Sequence, residues 1–142
     1  MIDANYIVGL TDGEGCFYVN LTERDKVKNP KAHIRARSHF YIKLRADDLV
    51  VLEKVKKYLG FGFIYFQKEK RKNHSACYRF EVNSNAEKLK LIEFFNRYPL
   101  HSPKKNRDFE IFSKVTKMII NQEHFTLEGV SVMRQLKLSM HH

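Results

Sequence analysis

Residues 7–17 read Ile-Val-Gly-Leu-Thr-Asp-Gly-Glu-Gly-Cys-Phe and join a predicted helix to a predicted strand. The apolar residues from Tyr6 to Leu10 predict a helix over about residues 3–13. Gly9 and Gly13, four residues apart, lie on one face of this helix. Because each glycine weakens a helix by about 1 kcal/mol relative to alanine, the pair predicts close packing against another helix. That second helix belongs either to the same chain or to another molecule.

Two acids, Asp12 and Glu14, follow at the predicted end of the helix. The helix dipole and the unpaired carbonyl groups concentrate negative charge there, so a carboxylate is unfavourable unless a cation joins it. Carboxylate and carbonyl oxygens are ligands that suit Mg²⁺. The residues therefore indicate a metal site at Glu14, and the alternative is a pair of turn carboxylates in water.

Alternating side chains predict two strands after this junction. Apolar and polar residues alternate from Cys16 to Arg24 and again from His33 to Leu44, with a turn at residues 25–32. A period of two predicts strands with one buried face and one solvent-exposed face. The predicted exposed faces carry Tyr18, Asn20, Thr22 and Arg24 on the first strand, and Arg35, Arg37, His39, Tyr41 and Lys43 on the second.

The rest of the chain predicts a second helix and hairpin, and then more helices. Asp47 and Asp48 are predicted to cap a helix that stops at Gly60, and strands are predicted over residues 61–70 and 75–82. Asn85 is predicted to cap a further helix with Leu89, Ile92 and Phe95 in line. Two more helices are predicted over residues 104–121 and from Leu127 behind a Thr126 cap. This order predicts a single α+β domain over residues 1–142 with one antiparallel sheet.

The chain is strongly basic, with 26 Lys and Arg against 16 Asp and Glu and a formal charge of +10. Such a charge predicts a polyanionic partner, with nucleic acid as the first candidate, but ribosomal and other basic proteins share it. Cys16 and Cys77 are too few for a disulfide framework or a cysteine-built zinc site. No run approaches the roughly 20 apolar residues of a membrane span. These features predict a soluble, intracellular protein that does not enter membranes.

Residues 7–17 resemble the LAGLIDADG motif of homing endonucleases. The motif is matched at Gly9, Leu10, Asp12 and Gly15, similar residues stand at Ile7, Val8 and Glu14, and the sequence departs from it at Thr11 and Gly13. The resemblance extends over nearly the whole chain, through residues 40–52, 58–60, 98–100 and 121–129. Such breadth is typical of a family member, here of the homodimeric type with a single motif.

The resemblance implies the homing-endonuclease fold, αββαββα with extra C-terminal helices, and two motif helices packed at a two-fold axis. The second acid of each motif then reaches metal ions between the scissile phosphates. By position this acid is Glu14, with the Gly13 carbonyl beside it. One motif per chain implies a homodimer, with Tyr6, Gly9, Leu10 and Gly13 in the interface. Mg²⁺ is the implied cofactor, and Mn²⁺ or Ca²⁺ is expected to replace it in binding.

A lysine near the metal centre is implied after Pro99 and Leu100. Lys104 is the first choice and Lys105 the second. A cation there would stabilise phosphate charge or orient the attacking water, and the alternative is a solvated basic start of a helix. Leu44 stands where the family commonly has glutamine, so the sequence departs from the family pattern at this position.

The resemblance also implies that the exposed strand faces bind double-stranded DNA in the major groove. A ten-residue strand spans roughly 33 Å, about one turn of B-DNA, so two subunits would cover about 20 base pairs. Arginine and asparagine can read base edges, whereas lysine and tyrosine can hold phosphates. The second strand pair adds Lys68, Lys70 and Arg79 to this surface. The implied reaction is hydrolysis of both strands of a long, near-palindromic target.

Two other functions fit a protein of this fold. One is an intron-RNA maturase, which assists splicing without cutting DNA, and the other is a DNA-binding regulator that leaves its target intact. Glu14 favours cleavage, because binding alone does not require an acid there. A ribosomal or structural basic protein would not explain the motif. The resemblance further implies an intron-encoded organellar gene, with the chloroplast expected ahead of the mitochondrion.

Overall fold

Helices and strands follow one another in the predicted order in the computed structural model, which describes residues 1–23, 34–72 and 74–141. The elements are α1 Ala4–Glu14, β1 Gly15–Thr22, β2 Arg35–Arg45, α2 Leu49–Leu59, β3 Phe63–Gln67, β4 Cys77–Val82, α3 Asn85–Arg97, α4 Pro103–Ile120 and α5 Leu127–Leu138. Short 3-10 turns at Ala46–Asp48 and Glu123–Phe125 precede α2 and α5. Arg24, His33 and the turn predicted between them lie outside the described residues.

The four strands form one antiparallel sheet in the order β1-β2-β4-β3, which confirms the predicted α+β fold. Phe17 of β1 lies opposite Phe40 of β2, and Phe40 lies opposite Val82 of β4. These three side chains are buried on the same face of the sheet, because residues directly opposite one another on neighbouring strands point to the same face. The neighbouring residues of β1 and β2 form the other, polar face, as the alternation predicted.

The core lies between the apolar face of the sheet and the helices. Phe17 is at its centre, with ring centroids 4.9 Å from Phe40, 5.2 Å from Phe112, 5.6 Å from Phe109 and 6.0 Å from Phe95. Ile7 and Val8 of α1 belong to the same buried cluster. Aromatic side chains contribute much of the apolar surface that such a core buries, so α1 is held firmly against the sheet.

The start and the inward face of α3 differ from the prediction. Ser84, and not Asn85, caps the helix, and its Oγ accepts a hydrogen bond from the Glu87 backbone N–H. Leu89 is 42% exposed. The buried side chains of α3 are Lys88, Leu91, Ile92 and Phe95. Ile92 and Phe95 are buried as predicted, and only Leu89 is not. The buried positions are spaced by three, four and seven residues from Lys88 and follow one helical stripe, from which Leu89 is displaced.

Two further boundaries were predicted wrongly. Asp47 and Asp48 make no side-chain capping bond to α2, and Asp47 instead pairs with Arg45 at 3.7 Å. The third strand is shorter than residues 61–70 and ends at Gln67. It begins only at Phe63, because Gly62 adopts a left-handed conformation with φ 98° just before it. Lys68 and Lys70 therefore follow β3 and do not lie in it. The predicted stop at Gly60 and the Thr126 cap of α5 are confirmed.

Two features bear on the class of protein. Both cysteines, Cys16 and Cys77, are free and half-buried in the sheet. Within the described ranges, none of the helices combines the length and the apolar composition that a membrane crossing needs.

Candidate active site and nucleic-acid interface

The end of α1 runs directly into β1 without a loop. Asp3 caps the start of α1 by accepting a hydrogen bond from the Tyr6 backbone N–H at 3.0 Å. At the other end the Gly15 N–H donates to the Thr11 carbonyl, and the chain then becomes extended. A Cβ at Gly15 would lie 2.7 Å from the Thr11 side chain and 2.8 Å from its carbonyl oxygen, so only glycine fits. The packing fixes where the last helical residue, Glu14, stands.

Glu14 is exposed, and no described residue pairs with its carboxylate. The carbonyl groups of Asp12, Gly13 and Glu14 follow the last intrahelical acceptor, Thr11. Among the described residues, no three His, Cys, Asp or Glu side chains come together as a metal site. One copy of the described chain therefore offers fewer than three such side chains at this point, together with the helix-end carbonyl oxygens.

Asp12 has a different environment from Glu14. Its carboxylate accepts hydrogen bonds from the backbone N–H groups of His101 at 3.0 Å and Ser102 at 3.2 Å. The Ser102 Oγ in turn accepts from the Lys105 N–H at 3.2 Å and caps α4. Asp12 thus ties the start of α4 to the end of α1. Sequence analysis missed this contact because it joins residues 89 and 90 positions apart.

The two candidate lysines occupy different surroundings. The Lys105 Nζ donates to the Gly15 carbonyl, one peptide beyond Glu14. Lys104 is exposed and makes no such contact within the described part of the chain. The structure brings Lys105, the second choice of the sequence analysis, to the candidate centre.

The outer face of α1 carries the four residues predicted for an interface. Tyr6 is 45% exposed. Gly9 and Gly13 are exposed, and a Cβ added at either would meet nothing within 4 Å in the described chain. Leu10 is half-buried against the core. Packing inside the described chain gives no reason for the two glycines.

Ring contacts order the middle of the polar sheet face. Tyr18 stacks on His39 with centroids 4.3 Å apart and meets Tyr41 edge-on at 6.0 Å. The Arg79 guanidinium lies 3.8 Å above the Tyr41 ring, and its Nε is 3.3 Å from a Glu81 carboxylate oxygen. Stacked rings and a cation over a ring keep these side chains in fixed orientations.

The ends of the polar face are more open. Asn20, Thr22, Arg35 and Arg37 are exposed, and Lys43 is half-buried beside Arg79, its register partner on β4. The predicted Arg24 lies outside the described residues. Lys68 and Lys70 are exposed beyond β3. Leu44 is half-buried and packs against the core, so this side chain presents no polar group.

Two exposed aromatic residues on this face were not predicted. Phe63 is 55% exposed and lies opposite Glu81, and Tyr65 is 45% exposed and lies opposite Arg79. Their rings are 6.2 Å apart, and the Tyr65 hydroxyl accepts a hydrogen bond from the Asn83 amide at 3.2 Å. The continuous run Phe-Ile-Tyr-Phe hid the alternation that would have identified them.

Histidine and tyrosine on this face have displaced pKa values. Burial, followed by the nearby charges of Lys88, Arg37 and Arg79, lowers the pKa of His39 to about 4. Burial and a hydrogen bond to Cys16 raise the pKa of Tyr41. Both side chains are therefore neutral at physiological pH.

A model of the family described as LAGLIDADG endonuclease matches residues 7–116. The chain belongs to the LAGLIDADG endonuclease family. This confirms the resemblance carried by residues 7–17. The matched range includes the α1 and β1 junction, the sheet and the Lys105 region.

Curated relatives of this LAGLIDADG chain are fungal. "Probable intron-encoded endonuclease 3" of Neurospora crassa is 32% identical over 133 residues, which are 93% of this chain and 23% of the relative. An uncharacterized 50.9 kDa protein in ND4 intron 1 of Podospora anserina is 28% identical over 127 residues, 88% of this chain and 26% of the relative. The chain thus spans about a quarter of these relatives. Fungi have no chloroplasts, so the expected preference for a chloroplast gene finds no support.

Solved structures share the fold of this LAGLIDADG chain. The homing endonuclease I-TnaI superposes with a TM-score of 0.81 at 30% identity, over 99% of this chain and 89% of that chain. The meganuclease I-AabMI bound to uncleaved DNA gives 0.82 at 31% identity, over 99% and 45%. I-SmaMI bound to uncleaved DNA in the presence of calcium ions gives 0.81 at 26% identity, over 99% and 45%. This chain spans less than half of the two DNA-bound meganucleases.

Proposed function

We propose that the chain is a homing endonuclease that acts as a homodimer, binds a long near-palindromic DNA duplex and hydrolyses both strands. The observation that carries the proposal is the end of α1, where the exposed Glu14 directly precedes Gly15, whose carbonyl group accepts a hydrogen bond from Lys105. An acid at the carboxyl end of a helix is unfavourable unless a cation joins it. A divalent cation bound in a nuclease centre would compensate the negative charge at this position.

The second half of the centre comes from a second copy of the chain. The open space at Gly9 and Gly13, next to the exposed Tyr6, allows the backbone of another helix to approach closely. A two-fold axis beside this face would bring the two Glu14 side chains together, since such an interface pairs the same surface on both subunits. I-TnaI supports the proposal, because it is a homing endonuclease of which this chain covers 89%.

The donor set of the α1 end fits a hard divalent cation such as Mg²⁺. The Glu14 carboxylate and the Gly13 carbonyl are oxygen ligands, which Mg²⁺ prefers and which Mn²⁺ and Ca²⁺ also accept. A bound cation would neutralise phosphate charge and lower the pKa of its water. Fewer than three His, Cys, Asp or Glu side chains of the described chain come together here, so the remaining ligands would be the second Glu14, water and phosphate oxygens.

Lys105 is the lysine that we assign to this centre. An ammonium group has three donors, and the Gly15 carbonyl accepts from one of them. The other two can donate to a phosphate oxygen or to the attacking water. Asp12 is a positioning residue, because its bonds to the His101 and Ser102 amides set where α4 and Lys105 begin.

DNA would lie along the polar face of the sheet. The exposed Asn20, Arg35 and Arg37 suit base edges, while the clustered Tyr18, His39 and Tyr41 rings form a stiff middle section. The formal charge of +10 favours association with a duplex. Phe63 and Tyr65 extend this surface with apolar area that can contact thymine methyl groups.

A cleavage selection tests the proposal. A randomised library of near-palindromic duplexes is incubated with Mg²⁺ and wild type, Glu14→Gln or Glu93→Gln, the last being a matched change at an exposed acid on α3. Wild type and Glu93→Gln are expected to cut both strands of one target, and Glu14→Gln to lose at least about 100-fold in rate. Sequence-specific binding without cutting by wild type would overturn the nuclease and favour a maturase or a regulator.

We propose an intron-encoded organellar gene as the source. The support is the set of fungal relatives, whose names describe intron-encoded endonucleases. The same protein preparation can be tested for binding to the RNA of the host intron. A protein that binds this RNA and leaves DNA intact would be a maturase.

A further inference from the structure

A polar cavity of about 380 Å³ lies at one edge of the sheet. β4 ends at Val82, opposite Phe40, so the part of β2 before Phe40 has a free edge beside the start of α3. The polar lining consists of Arg37, His39, Asn83, Asn85 and Lys88. Arg37 is five residues along β2 from the partner of Gly15, or about 16 Å at the rise of a strand. The cavity is therefore separate from the Glu14 centre.

Lys88 is the most unusual residue of this lining. It is 6% exposed, and no acidic side chain of the described chain pairs with it. The nearest acid along α3, Glu87, is engaged elsewhere and accepts from the Gly62 N–H at 2.9 Å. Burying an unpaired cation is costly, so lysine is seldom found in such a position without a counterion.

The rest of the lining carries no negative charge either. Arg37 adds a second cation, and its charge and that of Lys88 both act on the His39 ring. His39 Nε2 is buried without a hydrogen-bond partner. Asn85 opens α3, where the first backbone N–H groups of the helix have no intrahelical partner. None of the polar side chains that line the cavity is acidic, and Arg37, Asn83, Asn85 and Lys88 all carry N–H donors.

We propose that this cavity is an anion site that binds a phosphate group. Lys88 and Arg37 neutralise its charge, and the Asn85 side chain and the free amides of α3 donate to its oxygens. Phosphate fits better than a carboxylate, because it offers more acceptor oxygens and up to two negative charges to three separate donors. The phosphate belongs either to the backbone of a bound nucleic acid or to a free phosphate in solution.

The test follows the His39 ring by NMR while inorganic phosphate replaces chloride at constant ionic strength. Wild type is expected to show a saturable shift of the ring signals and a rise of the His39 pKa above about 4, since an anion stabilises the protonated ring. Lys88→Met, which keeps the chain length without the charge, is expected to bind phosphate at least about tenfold more weakly. Lys90→Met, a matched change at an exposed lysine of the same helix, is expected to stay within about twofold.

The remaining outcomes separate the two sources or overturn the site. Displacement of inorganic phosphate by a mixed-sequence 20 bp duplex would assign the site to a backbone phosphate, and persistence beside the duplex would assign it to a free phosphate. No saturable response in wild type, or an equal response in Lys88→Met, overturns the proposal. Arg37→Gln is the second variant, since this exposed side chain can change without disturbing the core, and it is also expected to weaken binding.

Discussion

Individual residues at the α1 end differ in their environment although they are close in sequence. Asp12 binds two backbone amides of the segment before α4, whereas Glu14 is left exposed. The sequence indicated a metal site at Glu14, with two turn carboxylates in water as the alternative, and it identified no partner for Asp12. The partners of Asp12 stand about ninety positions later in the chain, so nothing local identifies them. Lys88 is a similar case, since a lysine in a helix is normally expected to face solvent.

Lys105 and Lys104 give a sharp comparison at this scale. Lys105→Met removes the donor to the Gly15 carbonyl and is expected to lower the rate of DNA cleavage by about 100-fold or more. Lys104→Met removes an exposed charge and is expected to change that rate by less than about threefold. Single-turnover cleavage on saturating DNA measures both. Equal losses in the two variants would contradict the assignment of Lys105.

His39 makes the stability of the fold depend on pH. Its folded-state pKa of about 4 lies below the ordinary value of 6.5. As the pH falls from 6.5 towards 4, the unfolded chain takes up a proton that the folded chain resists, so the free energy of unfolding decreases. His39→Gln is expected to flatten this part of the profile, measured by urea denaturation across that range. Profiles that stay parallel would show that His39 titrates normally in the folded state.

At the scale of elements, periodicity predicted the order and type of every helix and strand named above. It failed on α3, where Leu89 and Leu91 are both apolar and either could belong to the buried face. Leu91 is buried, whereas Leu89 is exposed. It also failed where one backbone angle sets a boundary. Gly62 begins β3 late because its φ is 98° and a Cβ there would strike the Phe80 ring. Such boundaries depend on tertiary contacts that no window of sequence contains.

Gly9 is expected to lower the stability of the monomer and to raise the affinity of the dimer, and Gly9→Ala separates these two effects. The space around Gly9 is open, so alanine is expected to raise the free energy of unfolding of the dilute monomer by about 1 kcal/mol. The added methyl group holds a second α1 away, so the dimer is expected to dissociate at least about tenfold more readily. Urea denaturation and sedimentation equilibrium measure the two effects.

Ser131→Ala is the matched control for this substitution. It changes an exposed position of α5 and also improves helix propensity, but it lies outside the proposed interface. Its dimer affinity is expected to equal that of wild type. If Gly9→Ala also dimerises like wild type, the α1 face is not the interface.

At the scale of the whole molecule, charge and family resemblance carried the most information. The net charge of +10 predicted a polyanionic partner, and the breadth of the resemblance predicted the family that the comparisons show. The sequence did not predict the cavity around Lys88, because its lining comes from β2, α3, the end of α4 and the turn between β4 and α3. Cavities formed by distant segments have no sequence pattern of their own.

Glu14, the last residue of α1, is followed directly by Gly15, the first residue of β1. This direct connection affects how the target specificity of the proposed enzyme can evolve. In the proposed enzyme, the number of residues between Glu14 and each base-contacting side chain of β1 is therefore constant. Point substitutions on the strand can then retarget the protein to a new site while the broken bond keeps its place within that site. An inserted residue at the junction would shift recognition out of phase with cleavage. Related proteins can therefore acquire new target sites by single substitutions, without a change in the position of cleavage.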